Sequence, residues 1–315
     1  MHNFRDMYQA SLSYQDTDTP IHRLNAVVKL VWTGGVVVLA MLIDHPIILL
    51  LVFLSTLPVV AIGRIWRQWL FIIQMAIWMG LVVVGINSLA NPGGITVIWQ
   101  SWFSVPVLGH ITIRLEPVIY GLFMVVRLMA IISAFSVLTF TVRPDELLEA
   151  MLEMRLPYKT AMVATLSTRF VPTMLGDVMR ITDAQRSRGL EMDKGSVFFR
   201  LRNRMSILPS MLSLSLERTI QLAEAMEARA FGSQNKRTRF FKVAYRKVDI
   251  TAIGVILAVL AVALYLFFSG GTAYEYFPSL QGLGLTIKGV VMSVVIVLGL
   301  PCLALLAWLA KRGQE

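Results

Sequence analysis

This sequence of 315 residues has few charges, one cysteine and no ATP-binding loop, and each shortage excludes a class of function. Only 15% of the residues are charged and 56% are hydrophobic, so a soluble enzyme is excluded. Cys302 is the only cysteine, which excludes an internal disulfide and a thiolate zinc site. The four histidines lack ligand spacing. We therefore predict no metal site and no cofactor.

Two further absences limit how such a protein could work. No Gly-Lys dipeptide occurs, so the chain has no Walker A loop and needs energy from a partner. The apolar stretches have acidic residues only at their ends, Glu116 and Asp249. A self-sufficient secondary transporter would be expected to have carboxylates within its membrane spans, so this class is disfavoured. We expect no catalytic residues and, without any nucleic-acid signature, no nucleic-acid partner.

What the chain does have is six apolar stretches long enough to cross a hydrocarbon core of about 30 Å. They cover residues 26–43, 46–63, 69–90, 117–140, 250–268 and 285–310. We predict an all-α integral membrane protein, with six transmembrane helices and long cytoplasmic helices between the fourth and the fifth.

Basic residues set the predicted orientation. Segment 141–248 holds 19 Lys and Arg against 11 Asp and Glu, whereas the loops on the opposite side hold only Arg114. The positive-inside rule then gives a multi-pass protein of the cytoplasmic membrane with both termini in the cytoplasm. Membrane topology together with attraction to anionic lipid explains the charge of this segment as well as a partner protein does, on charge alone. The predicted parts are a tail (1–24), helices one to four (25–140), a cytoplasmic helical region (141–248), and helices five and six with the C-terminus (249–315).

The cytoplasmic region has the periodicity of helices. Pro144 and the acids after it begin a first helix, and residues 158–188 and 209–230 predict two longer ones. Each long helix has an apolar stripe at four-residue spacing along one face. The residues of the two stripes are Met162, Leu166 and Phe170, and Leu212, Leu216 and Ile220.

Both long helices end in an arginine between small residues. Arg188 lies between Ser187 and Gly189, and Arg229 lies between Ala228 and Ala230. We predict each arginine in the last turn of its helix, followed by a matching glycine, Gly189 or Gly232. A cation here stabilises the helix dipole by roughly 0.3–1 kcal/mol, which is the purely structural interpretation. The small neighbours leave each guanidinium open to dock on a partner's carboxylate or carbonyl oxygens.

Three cations fall within the apolar stretches, and one outer loop is ambiguous. Lys29 and Lys288 lie close to helix ends, so we expect them to extend toward water. Arg127 lies deeper; it bonds backbone carbonyls or Asn87 in a structural role, or it serves a partner interface. The loop 92–116 fits either a short hairpin or a re-entrant segment.

The order of motifs resembles a known family. The matching stretches are 20–24 with 29–30, 141–147, 155–157, 168–172, 184–189 and 225–232. Together they are similar to the transmembrane T component of energy-coupling factor (ECF) importers, the EcfT/CbiQ family. Two departures, Ser187 for the usual Ala and Ala230 for the usual Gly or Ser, keep the side chains small.

The resemblance implies a non-catalytic scaffold for vitamin or metal-ion uptake. Such a scaffold holds two cytoplasmic ABC ATPases and a small membrane-embedded substrate-binding S component. Arg188 and Arg229, with their small neighbours, would then dock on the two ATPases. The two apolar stripes would contact the S component. The alternative is an integral-membrane enzyme or assembly factor whose basic cytoplasmic segment binds lipid.

Overall fold

The computed structural model describes residues 19–22, 24–90, 93–105, 109–153, 157–189, 196–233, 246–270, 274, 276, 278, 284, 286–302, 304–305 and 308. Most of the predicted N-terminal tail, residues 155–156 and the end of the sixth apolar stretch lie outside the described residues. The predominantly helical prediction is confirmed for the described residues, with one two-stranded hairpin added.

Twelve elements occur in the described part of the chain. In order they are α1 (Ala26–Leu42), α2 (Pro46–Ile62), α3 (Trp66–Ala90), β1 (Val97–Val105), β2 (Gly109–Arg114), α4 (Leu115–Thr141), α5 (Pro144–Glu153), α6 (Tyr158–Ser187), α7 (Val197–Met205), α8 (Ile207–Ala228), α9 (Lys247–Phe268) and α10 (Ile287–Gly299). Among the described residues, α3, α4 and α9 are long and apolar enough to cross a membrane, whereas α1, α2 and α10 are shorter apolar helices. The count of six crossings therefore stays a prediction.

The chain divides into two compact units. The first contains α1 to α4, the hairpin, α9 and α10, and the second contains α6, α7 and α8. In the first unit α4 packs against α1, α2 and α3, while α1 also packs against α9 and α2 against α10. Its core is apolar and fully buried, with Trp32, Ile48 and Ile296 among its largest side chains.

Glycine allows close approach at several contacts within this bundle. A Cβ atom on Gly121 would lie 3.0 Å from the backbone of Val84, so α3 and α4 pack almost backbone to backbone. A Cβ on Gly80 would collide with Val125 at the same interface. Dispersion attraction between closely packed helices is a main source of stability where lipid removes the hydrophobic drive.

One buried cation, Lys29, and one partly buried cation, Arg127, link α1 and α4, which run antiparallel. Lys29 of α1 is 1% exposed, and its ammonium donates to the carbonyl of Thr141, the last residue of α4, at 2.8 Å. Arg127 of α4 donates at 2.8 Å to the carbonyl of Ile43, which caps α1, and also pairs with Asp44. Each helix thus supplies the cation that satisfies the other's C-terminal carbonyl.

Side chains of neighbouring helices also donate to backbone carbonyls at two more helix C-termini. Lys288 donates to the carbonyl of Ser269, the C-cap of α9, at 2.9 Å. The indole N–H of Trp32 donates to the carbonyl of Leu300, the C-cap of α10, at 3.1 Å. Each C-terminal carbonyl therefore has a protein donor and does not need a water molecule as its hydrogen-bond partner.

The positions of the three cations Lys29, Arg127 and Lys288 agree only in part with the sequence predictions. The expected reach of Lys29 toward water is wrong, because its ammonium is enclosed and also donates to the carbonyl of His22 at 3.1 Å. Of the alternatives for Arg127, the structure shows the backbone carbonyl and not Asn87, whose amide donates to Val83 within α3. Lys288 is exposed, yet it too bonds a carbonyl.

Two buried carboxylates make the complementary contacts with backbone N–H groups. Glu116, in the first turn of α4, accepts from Ile95 at 3.1 Å and Thr96 at 3.0 Å. Asp249, in the first turn of α9, accepts from Arg246 at 3.0 Å, and the N–H of Asn25 points to it at 3.4 Å. Both acids that bound the apolar stretches thus have backbone partners.

The outer loop between α3 and α4 forms a hairpin. Strands β1 and β2 pair antiparallel, with Val97 opposite Arg114 and Val105 opposite Gly109. The contacts of Glu116 with residues 95 and 96 attach the hairpin to the start of α4. Of the two sequence interpretations, the structure shows the hairpin.

Replacing the enclosed cation tests the carbonyl caps. We expect Lys29→Met to lower the free energy of unfolding by about 1–3 kcal/mol, because two carbonyls lose their donor in a dry site. Thermal melting of the purified chain in one detergent measures this. Lys288→Met, which removes an exposed donor, is the matched control and should cost less. Equal melting of Lys29→Met and the unsubstituted protein would contradict the assignment.

Candidate functional site: the two arginine helix ends

The predicted cytoplasmic helices are present with small shifts at their ends. α6 runs from Tyr158 to Ser187 without a break at Pro172, and α8 runs from Ile207 to Ala228. Both were predicted to extend slightly further toward the C-terminus. The short helix α7 between them was not predicted.

The end of α6 has a left-handed residue directly after the arginine. Arg188 is the C-cap, with φ −85° and ψ 7°, and its N–H donates to the carbonyl of Ala184 at 3.2 Å. Gly189 follows at φ +84°, and its N–H donates to the carbonyl of Arg186 at 2.9 Å. Glycine favours this backbone because it has no Cβ to collide with the neighbouring carbonyl.

The end of α8 repeats that backbone around Arg229. Arg229 is the C-cap, with φ −91° and ψ 15°. Ala230 follows at φ +54°; its N–H donates to Glu227 at 2.8 Å, and the N–H of Phe231 donates to Met226 at 3.0 Å. These two bonds are the pair that defines a Schellman cap.

The two arginines are therefore equivalent in backbone geometry, and the structure corrects two details of the sequence prediction. Each arginine caps its helix instead of lying in the last turn. The residue that matches Gly189 is Ala230 and not Gly232, which is left-handed two residues further on. Both arginine side chains are exposed, and neither has an ion pair or side-chain hydrogen bond with a described residue.

An ion pair joins the two helices at equal distances from their ends. Arg218 of α8 donates to the buried carboxylate of Asp177 of α6 at 2.8 Å. Arg188 follows Asp177 by 11 residues, and Arg229 follows Arg218 by the same number. At 1.5 Å per residue, each arginine lies about 16 Å along its helix from the ion pair.

The six stripe residues fall into two groups. Those of α8, Leu212, Leu216 and Ile220, are 56–62% exposed. Those of α6, Met162, Leu166 and Phe170, are half-buried. On α8 it is the adjacent face, with Met211, Leu214, Leu222 and Met226, that is partly covered.

The CbiQ family, described as "Cobalt transport protein", matches residues 17–240 of the chain, which include both helix ends. The chain belongs to the EcfT/CbiQ family. Its apolar helices agree with a family of membrane proteins.

Several named relatives in this family are similar over most of their length. The energy-coupling factor transporter transmembrane protein EcfT of Limosilactobacillus fermentum is 27% identical over 256 residues, or 78% of this chain and 93% of that protein. The EcfT of Acidaminococcus fermentans is 29% identical over 270 residues, or 80% and 94%. The EcfT of Ruminiclostridium cellulolyticum is 31% identical over a shorter match of 183 residues.

Sequence reasoning missed one residue pair at this EcfT/CbiQ site. Asp177 is a carboxylate among small and apolar residues of α6, and that setting was the available signal for a buried ion-pair partner. Its partner Arg218 could not be identified, because 41 positions of sequence separate the two and only the packing of α6 on α8 joins them.

The left-handed alanine gives a test of the cap geometry. We expect Ala230→Gly to stabilise the end of α8 by about 1 kcal/mol, because glycine removes the steric cost of positive φ. Hydrogen exchange at the Ala230 and Phe231 amides should slow by about fivefold at that energy. Ala228→Gly, one residue inside the helix, is the matched control and should speed exchange. Faster exchange in Ala230→Gly would contradict the left-handed conformation.

Proposed function

We propose that this chain is the transmembrane T component of an ECF importer. It holds two cytoplasmic ABC ATPases and one membrane-embedded S component, and it transmits ATP-driven motion between them for uptake of a vitamin or metal ion. The family match over residues 17–240 and the names of the relatives support this role. The chain itself supplies no ATP site, so catalysis belongs to the partners.

The repeated helix end is the observation that carries the proposal. Two exposed guanidinium groups stand on matching backbone turns, with the small residues Ser187 and Gly189 at one end and Ala228 and Ala230 at the other. A planar group with five donors suits a groove lined with carboxylate or carbonyl oxygens. Each end docks on one ATPase, and the ion-paired helices carry the motion inward.

The exposed face of α8 fits the S component. Leu212, Leu216 and Ile220 repeat at four-residue spacing and form one apolar strip along the helix. Within positions 210–219 only Glu217 and Arg218 are charged, and four of the ten residues are serine or threonine. Met162, Leu166 and Phe170 of α6 complete the contact with an apolar protein.

The topology proposed with this role has six crossings and both termini in the cytoplasm. Three described helices have the length and composition for a crossing, and α1, α2 and α10 are apolar helices of the same packed bundle. The excess of basic residues in 141–248 supports a cytoplasmic position for that region.

Reversing both arginine charges tests ATPase docking. We expect the double variant Arg188→Glu and Arg229→Glu to lose co-purification of the ATPases and coupled uptake, because two charge-assisted contacts become repulsive. Lys159→Glu with Arg180→Glu makes the same charge change on exposed positions of α6 and should keep both activities. Full uptake by the Arg188 and Arg229 double variant would exclude the docking role.

A second pair of substitutions separates the S-component surface from the ATPase sites. Leu212→Glu with Leu216→Glu should reduce co-purification of the S component at least tenfold, because charge is buried against an apolar partner. ATPase binding should persist. Ser210→Glu with Gln221→Glu places the same charge on another side of α8, about 120–140° round the helix from the strip, and is the matched control. Loss of the S component in the control alone would assign the contact to that other side.

The alternative is a membrane enzyme or assembly factor that works without ATPases. Purification in mild detergent distinguishes the two functions. Two ATPase chains and a small apolar chain are expected to accompany this protein if it is a T component. Isolation of the chain alone, active on a membrane substrate, would favour the alternative.

A further inference from the structure

The corner between α2 and α3 holds an arginine in a backbone conformation that disfavours it. Gly63 is the C-cap of α2, and Arg64 follows at φ +54°. The N–H of Arg64 donates to the carbonyl of Ala61 at 3.2 Å, and the N–H of Ile65 donates to that of Val60 at 3.4 Å. This pair of bonds forms a Schellman cap, in which glycine usually takes the left-handed position. A strained residue at an exposed position indicates a role for its side chain.

Two exposed arginines at this corner have no partner in the described part of the chain. Neither Arg64 nor Arg67 makes an ion pair or a side-chain hydrogen bond with a described residue. Residues 45–115 contain no acid at all. The two acids that flank this range already have partners, because Asp44 is in an ion pair and Glu116 accepts from backbone N–H groups. The corner therefore carries two positive charges without a carboxylate of its own.

Arg67 lies at one end of the exposed apolar face of α3. At 100° of rotation per residue, Arg67, Phe71 and Trp78 point within about 40° of one another. Phe71 and Trp78 are each 65% exposed, whereas Trp69 and Ala76, about 160–180° round the helix from Arg67, are buried. Because α3 is long and apolar enough to cross a membrane, we expect this exposed face to contact acyl chains. A cation in the first turn then lies at the level of the headgroups.

The start of α3 has two further features of a membrane boundary. Trp66 is 47% exposed and stacks on Trp69, with ring centroids 5.1 Å apart. The indole of Trp69 donates to the hydroxyl of Ser133 of α4 at 2.8 Å, which fixes the stack. Tryptophan is enriched where hydrocarbon meets water. The helix dipole of α3 places its positive end at this corner, which adds to the attraction for an anion.

The continuity of the apolar face with the two cations selects the occupant. A phospholipid has acyl chains directly below a phosphate, so one molecule complements both the exposed face of α3 and the two guanidinium groups. Each guanidinium can bind a phosphate through parallel N–H donors. The absence of acids in residues 45–115 favours a lipid with net negative charge over a zwitterionic one.

We propose that the corner between α2 and α3 binds an anionic phospholipid of the cytoplasmic leaflet, with the phosphate at Arg64 and Arg67 and an acyl chain along Phe71 and Trp78. The inference rests on the proposed topology, which places this corner on the cytoplasmic side. It requires neither ATPase docking nor the S component. It also explains the left-handed Arg64, since glycine would relieve the backbone but would remove one of the two charges that face the phosphate.

Competition between two lipids tests the site. The full-length chain in mild detergent is mixed with equal, low amounts of phosphatidylglycerol and phosphatidylcholine of the same acyl chains, and native mass spectrometry measures which lipid it retains. Each arginine should favour phosphatidylglycerol by about fivefold, so Arg64→Gln with Arg67→Gln should lower the ratio of the two retained lipids by about 25-fold. Arg169→Gln with Arg180→Gln removes equal exposed charge from α6 and should leave the ratio unchanged.

A glycine substitution separates lipid binding from folding. Arg64→Gly relieves the strain at positive φ, so the melting temperature should rise, while the lipid ratio should fall by about fivefold. A folding defect would lower both quantities together. Arg64→Lys with Arg67→Lys keeps both charges and should retain most of the preference for phosphatidylglycerol.

Two outcomes would overturn the inference. One is a lipid ratio that Arg64→Gln with Arg67→Gln leaves unchanged; if that variant instead loses a co-purifying protein, the corner is a protein contact. The other is an equal fall in the ratio for the α6 control, which would reduce the preference to net charge. Co-purification of ATPases and of the S component is measured on other variants, so failure of the proposed function is recognised independently.

Discussion

Helix ends inside an apolar bundle leave carbonyl groups that need donors, and here the cationic side chains of neighbouring helices supply them. Lys29 donates to the last carbonyl of α4, and Arg127 donates to the carbonyl of the residue that caps α1. An unsatisfied polar group in hydrocarbon costs several kcal/mol, so these bonds fix which helix ends can be neighbours. The antiparallel pairing of α1 and α4, on which the bundle core is built, depends on this exchange.

The two arginines at helix ends of the second unit are in water-exposed positions, unlike the cations of the bundle. Arg188 and Arg229 also stand at helix C-termini, yet their guanidinium groups are exposed and make no side-chain bond within the described residues. The dipole term alone is worth at most about 1 kcal/mol at such a surface. The N–H donors of both guanidinium groups are therefore available to bind another molecule.

Local patterns predicted most of the fold, and non-local contacts account for what was missed. Hydropathy placed five of the apolar helices to within about three residues, because lipid-compatible length is a local property. The sixth apolar stretch ends early as a continuous helix, at Gly299, because Pro301 has no N–H to continue the helical hydrogen bonds. The enclosure of Lys29 depends on α4, which lies more than 80 residues further along the chain.

At the candidate site, too, local features could be predicted from the sequence, and features set by non-local contacts could not. The two helix ends were predictable, since small residues around an arginine after an amphipathic stretch are a local signal. The left-handed conformation of Ala230 was not, because alanine gives no sequence indication of positive φ and only the two cap hydrogen bonds hold it there. The ion pair of Asp177 with Arg218 required the packing of α6 on α8.

The position of that ion pair has a consequence for symmetry. A pair of partners related by a twofold axis presents two equivalent binding sites equally far from that axis. Each arginine lies about 16 Å along its helix from the shared ion pair, so a single asymmetric chain holds two equivalent ends at equal reach. If the proposed ATPases dock there, neither end would need a longer reach than the other.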